Sequence, residues 1–420
     1  MRKPIYNIPH SMTMHSSEDI RGALSERLEG KRIVICLTGS IAVVESVKLI
    51  RELIRHGAKL HAVMTEWAAR LVGPEAVEFA TGTPVITELT GQVEHVKMCG
   101  DVPDRADLVL VAPCTANTLG KMVCGIDDTP VTTFLTTALG TGIPVMLVPA
   151  MHGTMYHHSA VIENIDKAAS MGVDIVGPVL EESKAKMAPV DRIVEEVLRR
   201  LSPGGLKGEK VLVLTGACRE PVDDMRLLTN RASGVSGIAL AIEAYREGAD
   251  VLLLAGENVE GIPGHIDFRR FSSVKDLMST LELLSNDWGV PDTAFFAAGI
   301  SDYVPVKKEG KLPSGKGSLE LQLERAPKVI AKFRTLFRDT FTVGYKAESI
   351  GGDQEELMKR AYSKLRELDL GAVVANDLSE VKKEESRVIL ITPEKEAFRM
   401  EGKKCDIASF IVSKIEEIKR

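Results

Sequence analysis

The feature that most constrains this chain is an opening made twice. Residues 31–37 form a short apolar run rich in β-branched side chains, stopped by Thr38-Gly39-Ser40 and followed by Val43, Val47, Ile50 and Ile54 at helical spacing. Residues 210–214 repeat the pattern, stopped by Thr215-Gly216-Ala217 and followed by Ile238, Ala241, Ile242 and Tyr245 as one helix face. Strand, tight turn and amphipathic helix is how a parallel sheet begins, because parallel neighbours can be joined only by a crossover, usually a helix. Gly57 and Gly248 stand where helix C-caps are expected. Further apolar runs at 60–64, 106–112 and 143–148 alternate with helical stretches, which predicts an α/β chain whose sheets are covered on both faces. The echo of "RHGAKL" in "REGADV" is one shared way of ending a helix, and no longer repeat is visible.

Two starts in 420 residues imply two cores of roughly 200 residues each. Ser202-Pro203-Gly204-Gly205 joins flexible residues to a helix breaker and marks the boundary. The expected division is an N-terminal arm at 1–30, a first domain at 31–201, a linker at 202–208 and a second domain at 209–420. The arm is polar and interrupted by proline, with no apolar signal-peptide core. A composition of 44% hydrophobic and 27% charged residues excludes disorder, and a net charge of -6 argues against nucleic acid as the main partner. The six cysteines lack metal-ligand or disulfide-framework spacing and fit a reducing cytoplasm. No apolar run approaches the roughly 20 residues of a membrane helix.

The turn Thr38-Gly39-Ser40-Ile41-Ala42 would expose backbone N–H groups at the positive end of a helix dipole, where a phosphate can sit. Any βα turn shares that property, so other residues must decide. Two further stretches follow buried runs: Ala112-Pro113-Cys114-Thr115-Ala116-Asn117-Thr118, and Pro149-Ala150-Met151-His152-Gly153-Thr154-Met155-Tyr156. With these three motifs in order, residues 31–201 resemble the flavin-containing cysteine decarboxylases. The resemblance implies a flavodoxin-like domain that binds FMN through Gly39, Ser40, Ile41, Thr65, Thr115, Ala116 and Asn117, with His95 as the active-site histidine. A lone loop histidine is more often solvated, which is how His56, His61, His157 and His158 read; the place of His95 among the motifs sets it apart. Where the family has asparagine this chain has His152, which can still donate a hydrogen bond to a substrate carboxylate. The flap expected at 177–191 contains no cysteine, so the family's proton donor is missing and another acid or water must act. Cys99, Cys114 and Cys124 are the cysteines to weigh as substitutes.

In the second half, 218–234, 297–303, 343–348 and 375–377 match, in order, four motifs of the phosphopantothenoylcysteine synthetase family, so that residues 209–420 resemble it. That resemblance implies a Rossmann-like ligase domain which makes an acyl-nucleotide and then lets the amine of cysteine displace the nucleotide. It assigns Asn230 to the acyl-nucleotide and Lys311 to the reacting phosphates, with Mg²⁺ bound by residues not identified. Ala298, Asp302, Pro327, Lys328, Val329, Ile330, Tyr345 and Lys364 would line the nucleotide site, with CTP preferred to ATP. The plain alternatives are that Asn230 is a helix cap and that lysines 307, 308, 311 and 316 form a solvated loop.

Together the resemblances imply a fused coenzyme A biosynthesis enzyme of two doubly wound domains, acting on 4'-phosphopantothenate, cysteine and CTP. They also imply a homo-oligomer built from trimers and dimers, such as a dodecamer. A flavin-binding regulatory or partner-binding protein of the same fold is the competing reading. A nicotinamide dehydrogenase is disfavoured, since neither βα turn carries GxGxxG with an acidic residue about 20 positions on.

Overall fold

The computed structural model describes residues 15–312, 319–380 and 385–420. The chain divides into two compact units, Met1–Leu201 and Ser202–Arg420. In the first unit, β1 (Arg32–Leu37), β2 (Lys59–Met64), β3 (Leu108–Cys114), β4 (Val145–Pro149) and β5 (Asp174–Ile175) form a five-stranded sheet. Its order is β2-β1-β3-β4-β5 and every pair is parallel, the flavodoxin-like arrangement. Alternation along β1 supplies both faces: Ile33, Ile35 and Leu37 enter one core, Val34 and Cys36 the other. A strand buried on both sides needs a continuous apolar run, which is why these strands were conspicuous in the sequence.

The expected arm departs from expectation where it is described. From His15 onward it is docked on the first unit: Gly22, Leu24 and Leu28 donate backbone hydrogen bonds to Ile54, Arg55 and His56 at 3.1, 2.9 and 2.7 Å. These carbonyls lie at the end of the helix Ser46–Arg55 and just beyond it; Ile54 also receives the amide of Gly57 at 2.8 Å, and the segment completes the C-terminal capping. Leu28, 1% exposed, joins the core. Gly57, at φ +101°, provides the close approach, since a Cβ there would stand 2.8 Å from the amide nitrogen of Glu29.

The second unit has one eight-stranded sheet. Its strands are β6 (Lys210–Thr215), β7 (Asp250–Gly256), β8 (Asp267–Phe271), β9 (Thr293–Phe296), β10 (Phe341–Glu348), β11 (Ala372–Asp377), β12 (Glu385–Ile391) and β13 (Ala397–Lys403). The order β8-β7-β6-β9-β10-β11 is parallel throughout and is the Rossmann order, extended by antiparallel β12 and β13. The helix Val235–Arg246 turns a different face to the sheet from the one its large apolar residues suggest. Gly237, Leu240, Ala241 and Ala244 are buried, while Ile238 and Tyr245 flank the core. Small residues are needed there because a Cβ on Gly237 would collide with Thr215.

Candidate functional site

In the first unit, parallel pairing brings the ends of neighbouring strands level: Leu37 faces Met64, Cys36 faces Val111 and Cys114 faces Pro149. The loops that follow therefore share one edge of the sheet, the edge where doubly wound folds bind ligands. Gly39, Ser40 and Ile41 follow β1, Thr65 follows β2, and Thr115, Ala116 and Asn117 follow β3. Thr65 and Thr115 cap the helices after them, accepting from the amides of Ala68 at 3.2 Å and Thr118 at 3.3 Å. Ser40 precedes a 3-10 turn, Ile41–Glu45, without a capping hydrogen bond from its side chain. A Cβ on Gly39 would stand 2.5 Å from Cβ of Trp67, so only glycine lets this turn pass so close to the helix Glu66–Leu71 after β2.

Sequence reasoning missed what holds this edge together. Buried Thr38 donates its hydroxyl to the carbonyl of Pro113 at 2.8 Å and accepts from the amide of Thr115 at 3.1 Å. Ser46 donates to the carbonyl of Ala112 at 3.0 Å. A polar residue at the end of an apolar run was the available signal, but its partner lies more than seventy residues away in the chain, at sequence separations of 75 and 77.

The two histidines sit differently. His95 lies on the short helix Glu94–Cys99, its ring edge-to-face with Phe134 at 6.4 Å between centroids, and its buried Nδ1 has no hydrogen-bond partner. His152 is exposed and caps Gly153–Tyr156, with Nδ1 2.9 Å from the hydroxyl of Thr154. The stretch expected as a flap contains a hairpin, Val179–Glu181 with Lys184–Lys186, which pairs with Met151–His152. Its turn residues Glu182 and Ser183 have φ of 49° and 60°. The carbonyl of Ser183 accepts from the amide of Gly153 at 3.0 Å, so the hairpin and the His152 motif form one sheet. Burial raises the thiols of Cys99 and Cys114 to about 12. Cys124 is exposed.

The second unit holds two adjoining cavities, of ≈670 and ≈430 Å³. They share a wall formed by Ala298, Ile300, Asp302, Tyr345, Lys346 and Lys364. The larger contains Asn230, whose amide donates to the carbonyl of Gly299 at 3.0 Å and which is not a helix cap; Gly234 occupies the cap position. The smaller brings together Pro327, Lys328, Val329 and Ile330, at the start of the helix Val329–Leu336. Eight of the nine residues assigned from sequence to the nucleotide thus meet at one place. Lys311 is the exception. It is exposed and lines neither cavity, and Lys316 lies outside the described residues.

Charge is arranged along the shared wall. Lys328 reaches Asp302 at 2.7 Å and, by this hydrogen bond, holds its carboxyl below the usual range. Lys364 donates to the carbonyl of Tyr345 at 2.8 Å; desolvation, reinforced by Lys346, brings its ammonium down to about 8. Burial pushes the Tyr345 phenol up, so it stays neutral. Asn258 was not anticipated, yet its side-chain amide accepts from the amide of Ala217 at 3.1 Å and donates to the carbonyl of Ala232 at 2.7 Å, joining both ends of the loop before the helix. Among the described residues no three His, Cys, Asp or Glu side chains converge on a metal position, and no residue is assigned to Mg²⁺.

Two doubly wound units, each with its motifs at the carboxyl edge, make a flavodoxin-like domain joined to a Rossmann-like one. Residues 21–202 match the family model described as Flavoprotein, and residues 206–418 match the DNA/pantothenate metabolism flavoprotein C-terminal domain. The chain is 44% identical over 382 residues to the coenzyme A biosynthesis bifunctional protein CoaBC of Thermococcus kodakarensis, spanning 90% of this chain and 93% of that one. It is 34% identical over 411 residues to the protein of the same name from Methanocaldococcus jannaschii, spanning 97% and 99%. Against that of Bacillus subtilis it is 29% identical over 369 residues, spanning 84% and 87%. The chain belongs to the family of coenzyme A biosynthesis bifunctional proteins. Among the described residues no helix is long and apolar enough to cross a membrane.

Proposed function

We propose that the second unit joins cysteine to 4'-phosphopantothenate at the expense of CTP, and that the first unit decarboxylates the product with FMN. The observation that carries the ligase reading is the shared wall. Asn230 stands on one side of it and the helix start at Lys328 on the other, so an acyl group and a nucleotide would meet at Asp302, Tyr345 and Lys364. The substrate carboxylate attacks the α-phosphate of CTP and pyrophosphate leaves; the cysteine amine then attacks the acyl carbon, CMP leaves and an amide remains. Negative charge on the phosphates is met by the helix N-terminus and by the ammonium groups of Lys328 and Lys364. Lys311 supplies further positive charge from its exposed position. CTP is preferred to ATP on the resemblance to bacterial fused enzymes.

In the first unit, the donor set fits FMN: a glycine turn that a Cβ would obstruct, a serine hydroxyl not used as a cap, and capped helix starts level with it. When bound, FMN supplies the two-electron oxidation that turns the cysteine thiol into a thiocarbonyl, the electron sink that loss of CO2 requires. His152 holds the carboxylate and His95 moves the thiol proton. Cys99 and Cys114 are buried with thiols raised to about 12, so the proton returned to carbon is assigned to water, to a non-cysteine acid by the flap or to the exposed Cys124. Ile41 and Trp67, 72% and 65% exposed beside the glycine turn, leave apolar surface for a neighbouring subunit, in keeping with an oligomer of trimers and dimers in the cytoplasm.

The test is incubation of the full chain with 4'-phosphopantothenate, cysteine, Mg²⁺ and each nucleotide in turn, with products followed by mass. CTP should yield CMP, pyrophosphate, CO2 and 4'-phosphopantetheine. Faster turnover with ATP would overturn the nucleotide assignment, and a purified protein that neither contains nor takes up FMN would overturn the decarboxylase reading.

A further inference from the structure

Lys311 is exposed, and the chain on either side of it is held in place. The amide of Leu312 donates to Oδ2 of Asp223 at 3.0 Å, and the carbonyl of Leu312 accepts from the Arg226 guanidinium at 3.2 Å. The amide of Gly310 donates to Asp224 at 3.0 Å, and the carbonyl of Gly310 accepts from the Asp224 amide at 3.4 Å. Lys307 pairs with Asp224 at 3.0 Å. Both neighbours of Lys311 are therefore tied to one turn, 223–226.

That turn is itself built around Asp223. Its Oδ1 accepts from the amides of Met225 at 2.7 Å and Arg226 at 2.6 Å, and its Oδ2 accepts from the Arg226 guanidinium at 2.7 Å. The residue is 2% exposed, so every acceptor position is spent on the turn or on the Lys311 segment. The hydrogen bond from Leu312 leads the causes that hold this carboxyl at about 2, and it stays ionised throughout the working range. In the sequence Asp223 reads only as part of a motif shared with the ligases; nothing there ties it to a lysine eighty-eight positions on, as the Leu312 contact at a separation of 89 does.

We infer that Asp223, with Arg226, is a positioning residue for Lys311: it fixes the backbone on which that lysine approaches the reacting phosphates. The inference rests on the reading that Lys311 serves the ligase reaction. Asp223→Asn removes one acceptor and turns an amide donor toward Leu312 and Arg226, which are donors too. Arg226→Met removes only the link to the Leu312 carbonyl and the ion pair, and leaves the turn amides satisfied. Asp223→Asn should lower ligase kcat about 10- to 100-fold, Arg226→Met by less, with KM for cysteine unchanged and decarboxylation of supplied phosphopantothenoylcysteine intact. A general weakening of the fold would not respect Lys311, so the deciding measurement is the double-variant cycle. In a Lys311→Ala background, Asp223→Asn should add less than about a threefold loss. Loss by the full factor in that background overturns the inference, as does wild-type kcat in both Asp223→Asn and Arg226→Met while Lys311→Ala is impaired. If Lys311→Ala turns over normally, the reading of Lys311 falls and the positioning role falls with it. If Asp223→Asn does not fold, Arg226→Met decides through the same cycle.

Discussion

The two Thr-Gly turns read alike in the sequence and end differently in space. After β1, Thr38-Gly39 leads directly into the 3-10 turn Ile41–Glu45 and the helix Ser46–Arg55. After β6, Thr215-Gly216 leads away from the sheet through the paired segments Arg219–Pro221 and Leu227–Thr229, and the helix begins only at Val235. Both threonines are fully buried. Thr38 spends its hydroxyl on the end of β3 and the first residue after it, whereas Thr215 donates at 2.8 Å to the carbonyl of Gly234, closing its own excursion. An immediate helix leaves only a small cradle at the strand end; an excursion makes room for a ≈670 Å³ cavity. What the chain does after the dipeptide, more than the dipeptide, decides how much space is left at the strand end.

The sharpest way to break this division is to disable each unit separately. His95→Asn should lower CO2 release by about 10²- to 10⁴-fold while leaving amide formation unchanged, as expected for loss of a proton-transferring side chain. Lys311→Ala should do the reverse. Product assays on supplied phosphopantothenoylcysteine and on 4'-phosphopantothenate separate the two, and equal loss of both activities in either variant, with the fold intact, would contradict independent sites.

A smaller effect sharpens the contrast between the threonines. Thr38→Val removes the hydroxyl that meets the Pro113 carbonyl and the Thr115 amide, whereas after Thr215→Val the Gly234 carbonyl keeps its bond from the Ile238 amide at 3.0 Å, and each buried unpaired group costs about 1–3 kcal/mol. The first substitution should therefore destabilise its unit more than the second, read as amide exchange rates in β1 and β6 of the full chain. It should also release flavin, which the second should not. Equal costs would show that the link from Thr38 to the β3 loop carries no weight.

Glycines give a related comparison. Gly39→Ala places a Cβ 2.5 Å from Trp67, and Gly237→Ala places one against Thr215. Each should cost about 1–3 kcal/mol of local stability, the usual range for overpacking. Gly39→Ala should in addition weaken FMN retention at a temperature where the unit stays folded, and Gly237→Ala should leave the flavin in place. Absorbance of the protein after gel filtration reports both.

The smallest effect is one of pH. Lys364 loses its proton near 8, because burial beside Lys346 disfavours the charge. Below that pH the ammonium can attract nucleotide phosphate, and above it the attraction fades. KM for CTP should rise with pH above about 8, by no more than about tenfold per unit, and Lys364→Met should flatten the rise. For stability the sign is the opposite of a salt-bridged lysine. The folded value lies below the unfolded one, so burial of the charge costs stability below about 8, and that cost is relieved as pH rises toward 10.5.

Much of this was legible in the residues, for stated reasons. Strands buried on both faces must be continuous apolar runs, so β1, β2 and β6 could be placed to within a residue, and their turns with them. Motif order was enough to gather Asp302, Pro327, Lys328, Tyr345 and Lys364, because residues at the carboxyl ends of parallel strands and at the helix starts beside them have to meet. The docking of residues from His15 to Leu28 was not legible: a polar, proline-broken segment gives no period, and its value lies in capping carbonyls that only the finished helix leaves open. Nor could the sequence show that Asp223 grips the Lys311 segment, that Asn258 ties Ala217 to Ala232, or that small residues face the sheet from Val235–Arg246. Each depends on a hydrogen bond or a close approach between residues far apart in the chain. Periodicity reports which side of an element is buried; it carries no information about which distant group a buried oxygen or a missing Cβ has been shaped to meet.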